Sequence, residues 1–140
     1  MDNLTPDQRK KTMARIKSKD TKPEIAVRRL IHRMGYRFRL HRRDLPGNPD
    51  LVFPKFRKVI FIHGCFWHGH HCRSGKNRPQ SNRDYWDAKL DKNKARDKKN
   101  RRMLKKLGWE TLVIWECQIA DSSTLRKRIV EFLEKSEHAQ

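Results

Sequence analysis

Lys58-Val59-Ile60-Phe61-Ile62-His63 is the most apolar β run of the chain, and it leads straight into Gly64-Cys65-Phe66-Trp67-His68-Gly69-His70-His71-Cys72. A run with no polar alternation reads as a strand covered on both faces, so it belongs at the centre of a sheet. On its C-terminal side, residues 64–84 show no periodicity and are rich in Cys, His, Gly and aromatics, and a long irregular segment in a small domain is usually functional. Residues 85–107 then read as a long basic helix ended by Gly108. Residues 110–116 read as a second buried strand, and Ser122 and Ser123 open an amphipathic helix carrying Leu125, Ile129, Val130, Phe132 and Leu133. On the N-terminal side, residues 54–57 turn, Asp50-Leu51-Val52-Phe53 is a short strand, and Leu45-Pro46-Gly47-Asn48-Pro49 is a loop. Tyr36, Phe38 and Leu40 alternate with Arg37, Arg39 and His41, the pattern of a half-buried strand. Before it, Thr21-Lys22-Pro23-Glu24 is a capping box, and Val27, Leu30, Ile31 and Met34 form a stripe that ends at Gly35. The order helix, three strands, helix, strand, helix predicts an α/β domain with a mixed sheet flanked by helices.

Thr5-Pro6-Asp7-Gln8 opens one further helix, but residues 9–19 offer only Met13, Ala14 and Ile16 as apolar residues. Such a helix buries too little to hold itself on a core. Residues 1–20 are therefore read as a mobile basic arm that orders on a partner, and residues 21–140 as a single domain.

The 140 residues carry 35 Lys/Arg against 16 Asp/Glu, a net charge of +19. The surplus lies in residues 1–108, with 31 basic and 10 acidic residues, while residues 109–140 have 4 and 6. Ten basic residues fall between Lys89 and Lys106 alone. Self-repulsion of this size is relieved best by a polyanion, which points to nucleic acid. No apolar run approaches the ~18 residues of a membrane span, and the first residues lack the apolar core of a signal peptide. Three cysteines cannot all pair within one chain, so a reducing cytoplasm is expected rather than a disulfide scaffold.

Cys65 and Cys72 flank the histidine-rich run, and Cys117 follows the last strand. If that strand pairs beside residues 58–63, the two strand ends converge, and the three cysteines with one histidine complete a tetrahedral site. Thiolate and imidazole ligands suit zinc, and four protein ligands make such a site structural. Each cysteine taken alone reads better as a small buried apolar residue, but two of them with three histidines in eight residues favour metal. Asp50 opens a strand after a Pro-rich turn, where a carboxylate can hold a hard divalent cation such as Mg²⁺. His63 and His68 leave the neighbouring strand, and Glu24 begins the preceding helix, so the four can converge on the metal and base that phosphodiester hydrolysis requires. Singly, Asp50 reads as a strand-end cap, Glu24 as part of its capping box and His63 as a core histidine.

The run from His63 to Cys72 resembles the signature of the very-short-patch repair (Vsr) DNA mismatch endonucleases. The stretches Leu45-Pro46-Gly47-Asn48-Pro49-Asp50, Gly108-Trp109 and Trp115-Glu116-Cys117 match in order and spacing. The resemblance implies a restriction-endonuclease-like core and a Mg²⁺-dependent enzyme that nicks DNA beside a T·G mismatch. It makes Asp50 the main Mg²⁺ ligand, with the Ile62 carbonyl as a second, and His68 the catalytic histidine, with Glu24 and His63 positioning water. It makes Cys65, His70, Cys72 and Cys117 the ligands of a structural Zn²⁺. Phe66, Trp67 and Trp86 correspond to aromatics that wedge into the duplex, Met13 to a residue entering from the opposite groove, and Lys89 and Asn93 to the region that reads the mismatch. The Glu-x-Lys usual in restriction-like sites is absent, and Ile62-His63-Gly64 stands there, as the family permits. A monomer acting on mismatched double-stranded DNA in a bacterial cytoplasm, at the nucleoid and with downstream mismatch-repair proteins, follows from the same resemblance. Two other readings use the same basic residues: a zinc-stapled DNA-binding protein without catalysis, and an RNA- or ribosome-associated protein.

Overall fold

In the computed structural model, the described residues are 21–65, 68, 70, 72 and 83–135. The proposed arm, residues 1–20, lies outside them. Thr21 caps the first helix, α1 (Lys22–Arg33), its hydroxyl accepting the Glu24 amide at 3.4 Å, and Gly35 ends the turn with φ +90°. Strands β1 (Arg39–Leu40), β2 (Leu51–Phe53) and β3 (Lys58–His63) follow, then α2 (Arg83–Lys106), β4 (Glu110–Trp115), a short 3₁₀ turn (Glu116–Gln118) and α3 (Ser122–Glu134). The sheet order is β1-β2-β3-β4, with β3 antiparallel to β2 and parallel to β4. This is the α/β architecture with a mixed, helix-flanked sheet that the sequence pattern implies, and the most apolar run is a central strand.

Period-two alternation divides the sheet into two cores. Leu51, Phe53, Ile60 and Ile114 face α1 and α3 and pack on Val27, Ile31, Leu125, Ile129 and Leu133. Val52, Val59, Phe61 and the half-buried Val113 face the other way, against Leu104 of α2 and Trp109. The even-numbered face of β3 is thus purely structural, while the odd-numbered face continues past Phe61 to His63, where the strand ends under α2.

Three sequence expectations need correction. The alternating run 36–40 pairs only at Arg39 and Leu40, both exposed, because His41 takes a left-handed backbone (φ +50°) that ends the strand. Tyr36 and Phe38 still pack on the core, but from a loop. β4 is an edge strand, and only Ile114 in it is fully buried. Helix α3 opens at Ser122 as the sequence implies, with Asp121 as its cap, accepting the Thr124 amide at 3.2 Å. Val130 lies off the apolar face of that helix and is exposed.

Lys58 is buried at the start of β3, and its Nζ donates to the carbonyls of Phe132 (2.5 Å), Lys135 (2.7 Å) and Leu133 (3.4 Å). These are the unsatisfied acceptors at the negative end of α3, so one ammonium fastens that helix to the sheet. Lys58→Met keeps the aliphatic stem and strands the carbonyls. It should lower unfolding free energy by about 1.5–3 kcal/mol in a denaturant titration, the range for hydrogen bonds to a charged group.

Candidate active site and metal centres

Asp50 precedes β2 and His63 closes β3, and because these strands are antiparallel both residues sit at the same end of the sheet. The N-terminus of α1 and the middle of α2 close over that end. The resulting cavity of about 980 Å³ is lined by Glu24, Asp50, Ile62, His63, His68 and Asn93 among others. The catalytic residues expected from the sequence are therefore brought together in one place.

The Asp50 carboxylate accepts the Ile62 amide at 2.7 Å, so the observed contact to Ile62 is through its N–H. Burial pushes the Asp50 carboxyl up to about 7; the Ile62 hydrogen bond pulls against this, and the neighbouring Glu24 charge adds to the rise. Glu24 is buried at the third position of α1, but its carboxylate does not serve the helix cap. Its Oε2 instead meets His41 Nε2 at 2.9 Å and Arg28 Nη1 at 3.1 Å. Single ligand atoms of Glu24, His41 and Asp50 all lie within 4.8 Å of one another. Two carboxylates crowded at a buried site repel each other unless a cation sits between them, and this donor set fits a divalent ion.

The second group is His63, His68 and Asp97. The two imidazoles stack in parallel, with centroids 3.7 Å apart and planes 3° apart. Asp97, from α2, holds His68 Nδ1 at 2.5 Å. Burial works to raise the Asp97 carboxyl, but the hydrogen bond and charge of His68 outweigh it and leave it lowered. Burial, with the charge of His68, drives His63 down to about 3, so it is neutral. Its Nδ1 is buried with no hydrogen-bond partner among the described residues. An orphaned buried nitrogen at the wall of a polar cavity is where a water or a substrate atom is wanted.

The third group is Cys65, His70, Cys72 and Cys117, again with all ligand atoms within 4.8 Å of one another. The parallel register His63↔Trp115 delivers Cys65 and Cys117 to the same end of the sheet, as the strand-pairing argument requires. The Cys117 amide lies 3.4 Å from Cys65 Sγ, and Cys117 Sγ is 3.6 Å from His70 Nδ1. Zn–S and Zn–N bonds of ~2.3 and ~2.05 Å at a tetrahedral angle place such a pair about 3.6 Å apart, so these residues can hold a tetrahedral ion. Burial, together with hydrogen bonds to Cys72 and Cys117, pushes the Cys65 thiol up to about 12, although the Cys117 amide opposes it. The cluster is not isolated from the cavity. His70 stacks on Trp115 at 4.1 Å, and Trp115 meets His63 edge-on at 5.1 Å.

Of the residues expected to contact DNA, Asn93 is buried in the cavity wall, and Arg96 donates to its side-chain oxygen at 3.0 Å. Trp86 lies outside both cores, edge-on to the exposed Tyr85, with Lys89 about 6 Å from both rings (5.9 and 5.8 Å). Met13, Phe66 and Trp67 fall outside the described residues. Two residues escaped sequence reasoning. His41 was placed on the solvent side of a strand that stops before it. Asp97 was submerged in a basic helix, yet a signal existed: Asn93, Arg96, Asp97, Asn100 and Arg101 follow the i, i+3, i+4, i+7, i+8 spacing of one helix face, and all five line the cavity.

The family model described as DNA mismatch endonuclease Vsr matches residues 1–74. The chain is 50% identical to the type II nicking enzyme V.XorIIP of Xanthomonas oryzae pv. oryzae, over 96% of this chain and 98% of that one. It is 42% identical to the type II nicking enzyme V.NmeAIP of Neisseria meningitidis, over 91% of both. It is 41% identical to the DNA mismatch endonuclease Vsr of Escherichia coli, over 79% of this chain and 70% of that one.

Proposed function

This chain belongs to the Vsr family of DNA mismatch endonucleases, and from that premise we propose that it cuts one strand of duplex DNA beside a T·G mismatch, with Mg²⁺ as the catalytic ion. The observation that carries the reading is the convergence of Glu24, Asp50, His63 and His68 on one cavity whose rim holds Arg43, Arg96 and Arg101, cations suited to a phosphate backbone. Asp50 and Glu24 would hold the Mg²⁺, together with the Ile62 carbonyl assigned by the family resemblance. The ion, when bound, neutralises charge on the phosphate and promotes ionisation of water.

The protein's own residues supply the rest. An ionised Asp97 accepts from His68 Nδ1–H, which leaves the lone pair of the neutral ring on Nε2. That nitrogen would take a proton from water, the water oxygen would bond to phosphorus, and the P–O bond on the far side would break, its oxygen taking a proton from a solvent water while His68 later returns its own to solvent. His63, stacked on His68 and kept neutral, fixes the ring plane and offers Nδ1 to the water. Cys65, His70, Cys72 and Cys117 would hold a structural Zn²⁺ that pins both ends of the loop carrying His68. Mismatch selection falls to Phe66, Trp67 and Trp86 with Met13, since apolar wedges open a weakened base step for a few kcal/mol. Lys89 and Asn93 would read the opened pair. The site is complete within one chain, consistent with action as a monomer on chromosomal DNA in a bacterial cytoplasm, ahead of other repair proteins. No described helix is long and apolar enough to cross a membrane.

His68→Ala should slow single-turnover nicking by about 10²–10⁴-fold, the loss expected for a proton-transfer group. Asp97→Asn, which keeps the shape but not the charge, should slow it by about 10–100-fold, as for other groups that orient a functional histidine. DNA affinity, measured separately, should stay within about twofold for both. The reading as a whole is tested by incubating a T·G duplex with Mg²⁺ and then with a chelator. A nick that persists at full rate in the chelator would overturn the metal assignment.

A further inference from the structure

We infer that His41 is a nitrogen ligand of the catalytic ion, so that the Glu24–Asp50 site is built for a transition divalent cation such as Mn²⁺ as well as for Mg²⁺. The inference rests on the proposed placement of the metal at Asp50 and Glu24 and adds a ligand to it.

Three observations lead there. His41 Nε2 stands 2.9 Å from Glu24 Oε2. Two ligand atoms bound at ~2.1 Å on adjacent corners of an octahedron are about 3 Å apart, so the pair is already spaced as one edge of a coordination sphere. A carboxylate oxygen of Asp50 joins the same group within 4.8 Å, and the trio faces the large cavity. The backbone adds an independent sign. His41 sits at φ +50°, in a region that residues with side chains seldom occupy, and its amide donates to the Asp50 carbonyl at 3.3 Å. A left-handed residue costs conformational energy and persists where surrounding structure demands it. Here that turn ends β1, fastens the main chain of His41 to that of Asp50 and brings the imidazole to Glu24. Arg28 donates to the same Glu24 oxygen at 3.1 Å and helps to anchor the carboxylate.

The chemistry follows from the donor set. Two carboxylates alone favour hard ions, whereas adding an imidazole raises affinity for Mn²⁺ and the later first-row metals relative to Mg²⁺. His41 would thus set which ion occupies the site, a property separate from the Cys/His cluster.

The test uses the full-length protein, purified with its cysteine site filled, and Mn²⁺ alone as the probe. Binding is followed by calorimetry, and pulsed electron paramagnetic resonance reads nitrogen directly bound to the manganese. We expect one Mn²⁺ lost in Asp50→Asn, nitrogen modulation in the native protein that is lost in His41→Gln, and a fall of about tenfold in the Mn²⁺-over-Mg²⁺ preference of that variant. Asp50-dependent binding with no nitrogen signal, or with a signal unchanged in His41→Gln, overturns the role of His41 and leaves the Asp50 site standing. Failure to find any Asp50-dependent Mn²⁺ overturns both. Should His41→Gln not fold, His41→Asn replaces it, and absence of nitrogen modulation in the native protein is decisive without any variant.

Discussion

Asp50→Ala should reduce nicking by at least about 10⁴-fold, roughly 5.4 kcal/mol of transition-state stabilisation, while DNA binding holds or tightens. The two effects have one cause. In the proposed mechanism the carboxylate would be the main anchor for the ion, so its removal would take away the charge that makes the phosphate electrophilic. The same carboxylate repels the phosphate when no ion lies between them, so its removal eases approach of the backbone. A binding-only protein would have no use for such a group at the floor of a basic cavity. The substitution also strands the Ile62 amide, which now donates to Asp50 at 2.7 Å, at a stability cost of about 1–3 kcal/mol. Asp50→Asn keeps an acceptor there and separates lost chemistry from lost folding. Both variants should be inactive, and only the alanine variant should melt appreciably earlier. Wild-type nicking by either variant would remove Asp50 from the active site.

The second large effect is expected on removal of the ion from Cys65, His70, Cys72 and Cys117. Purified under reducing, chelator-free conditions, the protein should carry one zinc per chain by elemental analysis. Stripping it should lower Tm by at least about 10 °C, corresponding to some 3 kcal/mol for a domain of this size. Three thiols and an imidazole packed this closely are a liability without the ion, as the raised Cys65 thiol indicates. Activity should fall as well, beyond the change in Tm. His68 lies between Cys65 and His70 in the chain, and Trp115 stacks on His70 while touching His63, so disorder in the cluster would reach both histidines of the proposed mechanism. Zinc absent from freshly purified protein, or a stripped protein with unchanged Tm and activity, would contradict this account.

The elements and their order were legible because apolar patterning and capping agree along most of the chain. Val27, Ile31, Leu125, Ile129 and Leu133 repeat at helical spacing, and residues 58–63 are apolar on both faces, so tertiary packing had no local preference to override. Where the sequence misled, a local feature was decided by a distant partner. Nothing around residue 41 announces the left-handed turn that ends β1, because that turn is set by Asp50 and Glu24 rather than by glycine or proline. Thr21-Lys22-Pro23-Glu24 does cap α1, but Glu24 turns away from the cap toward His41. The cluster of Cys65, Cys72 and Cys117 could be argued from sequence because it needs only one fact, the pairing of β3 with β4. Asp97 could not be found in the same way. Its role depends on how a helix with few buried residues rotates over the sheet, and its polar stripe carries information only once the cavity beneath it is known.

The proposed reaction is hydrolysis of a single phosphodiester at a mispaired thymine. A covalently closed circular duplex bearing one T·G mismatch is the substrate of choice, with an otherwise identical matched circle as control. With Mg²⁺ and stoichiometric protein, the mismatched circle should convert to the open, singly nicked form, the break mapping to the thymine-containing strand beside the mismatch, while the matched circle stays closed. Equal nicking of both circles, or no cleavage of either at any divalent-ion concentration, would contradict it.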